Sequence, residues 1–215
     1  MIPRRYQKLR QVLNKRQPDL AVLMENVHKP HNFSAILRTC DAVGVFEAHV
    51  VNRDHEMPTY NSTARGSEKW INLHLHDSIG DSIKHLKDKG FHIYAAHLSD
   101  RSVDYRKLDY TQPTAILMGS ERWGVSEEAV NLVDKEIIIP MVGMVQSLNV
   151  SVAAAVILFE VQRQRLQAGL YDKVQLDSQT YERVLFEWGY PQIAARHQQE
   201  GTSYPLLDEK GLFDD

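Results

Sequence analysis

Short apolar segments alternate with helix-like segments along most of this chain. Six of the apolar segments have the length and residue types of β-strands, at residues 20–24, 48–51, 70–75, 91–96, 115–118 and 137–139. Between several of them, residues 33–43, 79–89 and 127–133 carry apolar side chains at helical spacing. Strands that alternate with helices build β-α-β units, in which the strands run parallel. The sequence therefore predicts an α/β fold with a mainly parallel sheet.

Helical patterns also occur at both ends of the chain. Residues 3–16 predict an amphipathic helix with a basic polar face. Residues 148–167, 181–188 and 192–199 predict three further helices. A chain of 215 residues is long enough to bury one sizeable core. We expect a basic N-terminal helix at 1–18, one α/β domain at 19–169, and a helical extension with an acidic tail at 170–215.

Composition argues against membrane and secreted classes of protein. Charged or amide side chains interrupt every apolar stretch well before the roughly 18 residues that a membrane span needs. The first residues lack the apolar core of a signal peptide. Cys40 is the single cysteine, which excludes a disulfide framework and a cysteine-based metal site. We therefore expect a cytoplasmic protein that has no membrane partner.

The net charge of -3 conceals an uneven distribution of charge along the chain. Residues 1–18 contain six basic side chains and no acidic one. Residues 200–215 contain five acidic side chains and one lysine, a net charge of -4. The N-terminal segment is thus either a basic surface for nucleic acid or a solvated helix face.

Several familiar catalytic motifs are absent from the sequence. It contains no G-x-G-x-x-G, no G-x-x-x-x-G-K-[ST], no H-E-x-x-H and no G-x-S-x-G pattern. His74 and His76 would share one strand face, but no third metal ligand is evident near them in the sequence. We expect no metal site.

The first informative segment, residues 29–44, is a strand end that leads into a helix. Asn32 is a candidate cap for that helix. The apolar residues between Phe33 and Val43 form a buried stripe, which leaves Arg38 on the polar face. This segment alone leaves two interpretations of Arg38 open, namely a functional cation or a solvated partner of Asp41.

A second segment, residues 115–126, is a buried strand that ends in a turn between Gly119 and Gly124. Glycines let the backbone approach a ligand closely, and ligands bind at the strand ends of open α/β sheets. Glu121 in this turn is therefore a site candidate. The alternative is an ordinary strand-to-helix connection with Ser126 as the helix cap.

A third segment, residues 137–158, combines a strand, an apolar loop and a helix. Apolar side chains at 141, 142, 144 and 145 are unfavourable in water, so we expect the loop to be buried against protein or around a partly apolar ligand. Ser147 and Asn149 supply its polar atoms. Alternatively, these two residues cap the following helix.

Taken together and in order, the three segments resemble the three motifs of the SPOUT superfamily of methyltransferases, in its ribose 2'-O-methyltransferase branch. The basic N-terminal helix and the Gly-Tyr-Pro at 189–191 are similar to the TrmH (SpoU) family, which acts on a guanosine of tRNA. The resemblance implies a trefoil-knotted α/β domain, a homodimer, and S-adenosyl-L-methionine as methyl donor without a metal.

The resemblance also implies roles for individual residues. The implied catalytic residues are Arg38, Asn32, Glu121, Ser147 and Asn149. The implied cofactor-binding residues are Leu117, Met118, Gly119, Ile139, Pro140, Met141, Gly143 and Leu148. The residues expected to contact RNA are Arg4, Arg5, Lys8, Arg10, Arg16, Arg163 and Arg165.

The implied reaction is methyl transfer to the ribose 2'-hydroxyl of guanosine 18 in the D-loop of tRNA. The base that this family invokes matches Arg38, but a guanidinium gives up its proton only far above neutral pH. Arg38 is therefore either a perturbed base or a charged stabiliser of the developing alkoxide. Two alternative functions remain open, a 2'-O-methyltransferase for ribosomal RNA and a catalytically silent RNA-binding protein.

Overall fold

The computed structural model describes residues 1–52 and 67–213. The chain forms two compact units, Pro18–Leu170 and a second unit that combines Met1–Gln17 with Tyr171–Asp215. The predicted N-terminal helix and the C-terminal extension thus belong to one unit. Within the described ranges, no helix is both long enough and apolar enough to cross a membrane.

One sheet organises the larger unit. Its strands within the described residues are β1 Gln17–Glu25, β2 Val45–Val51, β3 Asn72–His76, β4 His92–Ala96, β5 Val103–Asp104, β6 Thr114–Met118 and β7 Lys135–Ile138. Their order is β3-β2-β1-β6-β4-β7-β5. The pairings of β1 with β6, β2 with β3, β4 with β6 and β7, and β5 with β7 are all parallel. The predicted α/β fold with a mainly parallel sheet is confirmed.

Two details of the sheet differ from the sequence prediction. Strand β5 is only two residues long, and it pairs with β7 through Val103 and Asp104. So short a strand has no apolar run to mark it, so the sequence did not predict it. Strand β3 begins at Asn72 rather than at Trp70, because Trp70 ends a short 3-10 helix, Ser67–Trp70.

Helices of the larger unit cover both faces of this sheet. The helices of the described chain are α1 Pro3–Leu13, α2 Pro30–Val43, α3 Ile79–Asp88, α4 Glu127–Leu132, α5 Val150–Gln167, α6 Ser178–Gly189 and α7 Pro191–Glu200. On one face, Leu20 and Val22 of β1 pack in a core with residues of α2 and α5. On the other face, Ala21 and Leu23 pack in a core with residues of α3 and α4. Burial of each Leu or Val contributes about 1.5 to 3 kcal/mol, which explains why β1 is apolar on both faces.

The helix starts decide where the polar residues of the motifs point. Ser126 caps α4, as the alternative interpretation of its segment had it, since its Oγ accepts from the N–H of Ala129 at 3.2 Å. Asn149 caps α5, since its Oδ1 accepts from the N–H of Ser151 at 2.8 Å. The prediction that Asn32 caps α2 is wrong. This helix begins at Pro30 with Lys29 in the cap position, which places Asn32 inside the first turn with its amide available for other bonds.

The smaller unit is a helical assembly built from both ends of the chain. Leu9 and Leu13 of α1 are buried, as is Phe186 of α6. The phenol of Tyr190 accepts from the amino group of Met1 at 2.6 Å and donates to the carbonyl of Gly211 at 2.7 Å. Aromatic packing and these two bonds hold the chain ends together.

Candidate functional site

A cavity of about 660 Å3 lies in the larger unit, where several parallel strands end. The residues that line it include Ala96, Met118 and Ile138, which end β4, β6 and β7, and Leu148, which precedes α5. In a parallel α/β sheet the carboxyl ends of the strands meet at one edge, which is where such folds bind ligands. The volume suits a small organic molecule rather than a single ion.

Three polar side chains from the three sequence motifs are joined by hydrogen bonds, and two of them, Glu121 and Asn149, line this cavity. The amide of Asn32 donates to Oε1 of Glu121 at 2.8 Å. The amide of Asn149 donates to Oδ1 of Asn32 at 3.2 Å. Since Oδ1 of Asn149 also caps α5, one side chain fixes the helix start and extends the network. We call Asn32, Glu121 and Asn149 the amide–carboxylate network.

The turn that carries Glu121 is closed by its own backbone. Ser120 and Gly124 exchange two backbone hydrogen bonds, of 2.9 and 3.0 Å. A Cβ atom on Gly119 would lie 2.2 Å from the backbone carbon of Gly124, and Gly124 itself has φ of +68°. Only glycine tolerates both conditions, which explains the two glycines that the sequence places around Glu121.

Comparison with known proteins decides the family. Residues 19–159 match the SpoU rRNA methylase family, and residues 163–215 match the C-terminal part of SpoU rRNA methylases. This chain belongs to the SpoU rRNA methylase family.

Several similar proteins are methyltransferases with a named activity or a solved structure. The chain is 60% identical over 184 residues to a tRNA (guanosine(18)-2'-O)-methyltransferase of Thermus thermophilus, covering 86% of this chain and 95% of the relative. The A. aeolicus TrmH/SpoU tRNA modifying enzyme has a similar structure, with a TM-score of 0.84, 44% identity and coverage of 88% and 97%. The SpoU methyltransferase AviRb of Streptomyces viridochromogenes, solved in complex with the cofactor AdoMet, has a TM-score of 0.62 and 27% identity, with coverage of 70% and 62%.

In this SpoU family member, the carboxyl group of Glu121 is held as an acceptor. Its partial burial opposes ionisation, but the hydrogen bonds from the Asn32 amide and from the backbone of Lys29 outweigh burial and lower its pKa. A carboxylate with a lowered pKa is a poor proton acceptor. Glu121 is therefore suited to orienting Asn32 rather than to taking up a proton.

The residues assigned to the cofactor by resemblance fall into two groups. Met118, Gly119, Ile139, Met141 and Leu148 line the cavity. Leu117, Pro140 and Gly143 are not among its lining residues: Leu117 is buried within β6, and the other two are exposed. Of the assigned residues, those that line the cavity thus lie at or after the ends of β6 and β7.

Ser147 lines the cavity and is exposed, but the apolar loop before it differs from the prediction. Val142 is 105% and Met144 is 100% exposed, so this chain itself does not bury the loop, and its burial by a partner protein or a ligand stays a prediction. No described residue covers these side chains. Nothing within the described part of a single copy of the chain explains why Val142 and Met144 are apolar.

Arg38 lies farther along α2 than the network. Six residues separate it from Asn32, about 9 Å along the helix axis and on a different face, and its side chain is exposed. The described contacts thus bond Asn32 to the cavity-lining Glu121 and Asn149, whereas Arg38 lies on an accessible surface of the same helix.

The basic residues assigned to RNA also divide into two groups. Arg4, Arg5, Lys8 and Arg10 are exposed on α1, and Arg163 is exposed on α5, where it binds Glu160 at 2.6 Å.

Arg16 and Arg165, however, are fully buried, and the prediction that they contact RNA is corrected for these two. The guanidinium of Arg165 binds Asp19 at 2.6 Å and the carbonyl groups of Tyr110 and Gln112. That of Arg16 lies 5.4 Å from the ring of Trp188. Guanidinium groups held in this way are not available to a phosphate.

Several lining residues were missed by the sequence analysis. His97 and Leu98 follow β4, and Gln146 precedes Ser147 in the apolar loop. The available signal for His97 was its place directly after a predicted strand, since all parallel strands end at the same edge. A second cavity, of about 670 Å3, shares Glu121 with the first and was also not predicted.

Proposed function

We propose that this chain is an S-adenosyl-L-methionine-dependent tRNA (guanosine(18)-2'-O)-methyltransferase. The observation that carries the proposal is the amide–carboxylate network, which joins one residue from each motif and contributes Glu121 and Asn149 to the lining of a cavity of ligand size. The activity of the Thermus thermophilus relative supports this choice of substrate.

The first cavity suits the methyl donor. Met118, Ile139 and Leu148 give it an apolar wall for an adenosyl group, and the closed turn at Gly119 brings backbone groups to its edge. S-adenosyl-L-methionine, when bound, supplies an electrophilic methyl group, and the ribose oxygen that receives it must lose its proton. We assign the holding of this cofactor to the lining residues after β6 and β7 and before α5.

Arg38 is proposed to act on the ribose hydroxyl. A guanidinium that stays charged donates hydrogen bonds to the developing alkoxide. To act as the base, Arg38 would first have to lose a proton, and its neutral guanidine would then take up the proton of the hydroxyl. Asn32, held by Glu121 and Asn149, fixes the start of α2, the helix that also carries Arg38. Ser147 is proposed to contact the substrate or cofactor from the opposite side of the cavity.

The active form is proposed to be a homodimer. Val142, Met144 and Val145 are exposed beside the cavity, and Val152 and Phe159 form an exposed apolar stripe on α5 at a spacing of seven residues. Exposed apolar surface of this kind marks an interface. A second copy of this chain is the proposed occupant, and a trefoil knot formed by the loops after β6 and β7 is part of the same proposal.

RNA is proposed to bind to α1 through its exposed basic face, formed by Arg4, Arg5, Lys8 and Arg10, and to Arg163. The contacts would be ionic contacts to phosphates, which add affinity without reading sequence. The proposed compartment is the cytoplasm.

Labelled methyl transfer tests the proposal. Purified protein is incubated with methyl-labelled S-adenosylmethionine and unmodified tRNA, with ribosomal RNA in parallel, and the labelled ribose is mapped. Label at guanosine 18 alone supports the proposal. Label only in ribosomal RNA would replace it with the ribosomal activity, and no label despite cofactor binding would favour a silent RNA-binding protein.

Variants of Arg38 test its assigned role in the same assay. Arg38→Ala is expected to lower kcat by at least about 100-fold and to leave cofactor affinity unchanged. Arg38→Lys separates charge from guanidinium geometry. Arg106→Ala removes an exposed arginine of the same unit and is the matched control. Turnover by Arg38→Ala equal to that of the control would contradict the assignment.

A further inference from the structure

We propose that the second cavity binds the base of the target nucleotide, and that Glu25 recognises it as guanine. The carboxylate accepts hydrogen bonds from the ring N1–H and the 2-amino group of the base. This inference rests on the proposed function, because it concerns the base whose ribose is methylated.

The second cavity is lined mainly by polar residues and adjoins the first. Glu25, Asn26 and His28 line it at the end of β1, and Ser126 lines it at the start of α4. The two cavities share five lining residues, which are Lys29, Ser120, Glu121, Arg122 and Gly124. A volume of about 670 Å3 is ample for a nucleobase.

Glu25 is a buried carboxylate that is only partly satisfied. It is 3% exposed, and its Oε2 accepts from the N–H of Ser126 at 3.0 Å. Within the described part of the chain, this is the one hydrogen bond that its side chain makes. A carboxylate has lone pairs for about four hydrogen bonds, so this one can accept further donors. Since Glu25 lines the cavity, a ligand can supply them.

Guanine carries the donors that this carboxylate lacks. Its N1–H and 2-amino groups lie side by side on one edge, so that a carboxylate accepts from both. Adenine has an acceptor at N1, which would face the carboxylate unfavourably. The O6 atom of guanine needs a donor, and Lys29 and Arg122 line the same cavity with donor groups.

The position of Glu121 connects base and ribose. This residue borders both cavities and binds Asn32 at 2.8 Å. A nucleoside with its base in the second cavity would therefore place its ribose near the amide–carboxylate network, beside the cavity assigned to the methyl donor. Binding of the base and alignment of the 2'-hydroxyl are thus coupled through the turn at 120–124, which borders both cavities.

Substitution of Glu25 tests the inference. Glu25→Gln keeps an oxygen for Ser126 but presents an amide N–H where the second carboxylate oxygen was. We would measure kcat/KM on two tRNA transcripts that differ only in having G or A at position 18. The variant is expected to lower the G-over-A preference by about 10- to 100-fold relative to the native chain, mainly by losing activity on G. Effects of the base change on tRNA folding cancel in this comparison.

Three controls make the result decisive. Glu127→Gln makes the same chemical change on the exposed start of α4 and should leave the preference unaltered. Cofactor affinity and thermal melting report whether each variant is folded. If Glu25→Gln does not fold, Glu25→Asp is the substitute. It keeps the negative charge but moves the carboxylate back from the cavity by one methylene, so it should lower activity on G without altering activity on A. A G-over-A preference that stays native in the folded variant overturns the inference, whereas a native chain that methylates neither tRNA overturns the proposed function instead.

Discussion

The larger unit contains two polar clusters that differ in almost every respect. The amide–carboxylate network lies where strands end, borders both cavities and is built mainly from amides that cannot titrate. The second cluster, which we call the histidine cluster, lies in the sheet itself and on α3. It comprises Glu47 and His49 of β2, His74 and His76 of β3, and His85 of α3.

The histidine cluster is the more strongly perturbed of the two. Nδ1 of His49 lies 2.8 Å from Nε2 of His76, and the ring of His49 stacks on that of His74 at 4.9 Å. Burial lowers the pKa of both His49 and His76, to about 4 for His76. Burial of Glu47 opposes its ionisation, but the neighbouring His49 and His74 and the ammonium of Lys89 hold its pKa well below the usual range.

This comparison teaches that a shifted pKa does not by itself mark a reaction site. None of the five members of the histidine cluster lines either cavity. In the described part of the chain, no group of three His, Cys, Asp or Glu side chains is arranged to hold a metal. Paired burial of ionisable groups perturbs titration in structural clusters as well as in catalytic ones. Position at the strand ends is the more informative feature here.

The largest expected effect comes from breaking the network. Asn32→Ala removes the bonds to both Glu121 and Asn149, and should lower kcat by two to three orders of magnitude, on the scale of losing a preorganised polar contact. Steady-state methyl transfer measures it. Asn72→Ala removes an asparagine that binds His74 and is the matched control. Equal losses in the two variants would abolish the distinction between the clusters.

A smaller effect is expected from a polar group that supports the fold away from both cavities. Arg165→Ala leaves Asp19 and the carbonyl groups of Tyr110 and Gln112 without their partner, and should cost about 3 kcal/mol of unfolding free energy. Denaturant unfolding measures this. Arg163→Ala, two residues away and exposed, should cost less than about 0.5 kcal/mol. If Arg165→Ala kept native stability but lost RNA affinity, our correction of its role would itself be wrong.

The smallest effect is the dependence of stability on pH. The folded chain holds His76 neutral, with a pKa of about 4 against about 6.5 unfolded, so the unfolded state binds more protons and stability falls as the pH drops from about 6.5 to 4. His49, His74 and His85 face it as potential like charges, and Asp81 opposes them. Since His76 is partly exposed, we expect its share to be only about 1 to 2 kcal/mol.

Replacement of His76 isolates this share. His76→Gln should flatten the fall in unfolding free energy between pH 7.5 and 4, while methyl transfer at pH 7.5 stays within about twofold of native. Parallel stability curves for the two proteins would show that His76 does not carry the effect. A large loss of activity at pH 7.5 would instead connect the histidine cluster to the reaction.

The sheet was predictable from sequence because its strands are buried on both faces. Residues 20–24 and 115–118 are continuous apolar runs, and they pair with each other in the middle of the sheet. The order of the strands was not predictable, because it depends on long-range packing that no local pattern encodes. Strand β5 escaped prediction for the opposite reason, since two residues are too few to form a pattern.

The site was only partly predictable. Asn32, Glu121 and Asn149 each lie in a recognisable segment, but their bonds span 89 and 117 residues of sequence and follow from the fold alone. Arg165 was misassigned because an arginine on a helix usually faces water, and only tertiary structure shows the carboxylate and carbonyl groups around it. Glu25 was missed because acidic residues commonly follow apolar strands where the chain returns to water, so its position alone gave no signal of a site.

The ion pair between Asp19 and Arg165 has a consequence for the architecture of the whole chain. These residues lie close to the first and last positions of the Pro18–Leu170 unit, so the chain enters and leaves that unit at nearly the same point. A fold with adjacent ends can be inserted into a loop of another protein, or can carry added segments at that one point, without being pulled apart. By this criterion the Pro18–Leu170 unit could be transferred to another protein as a single piece, without the helical unit that the two chain ends form.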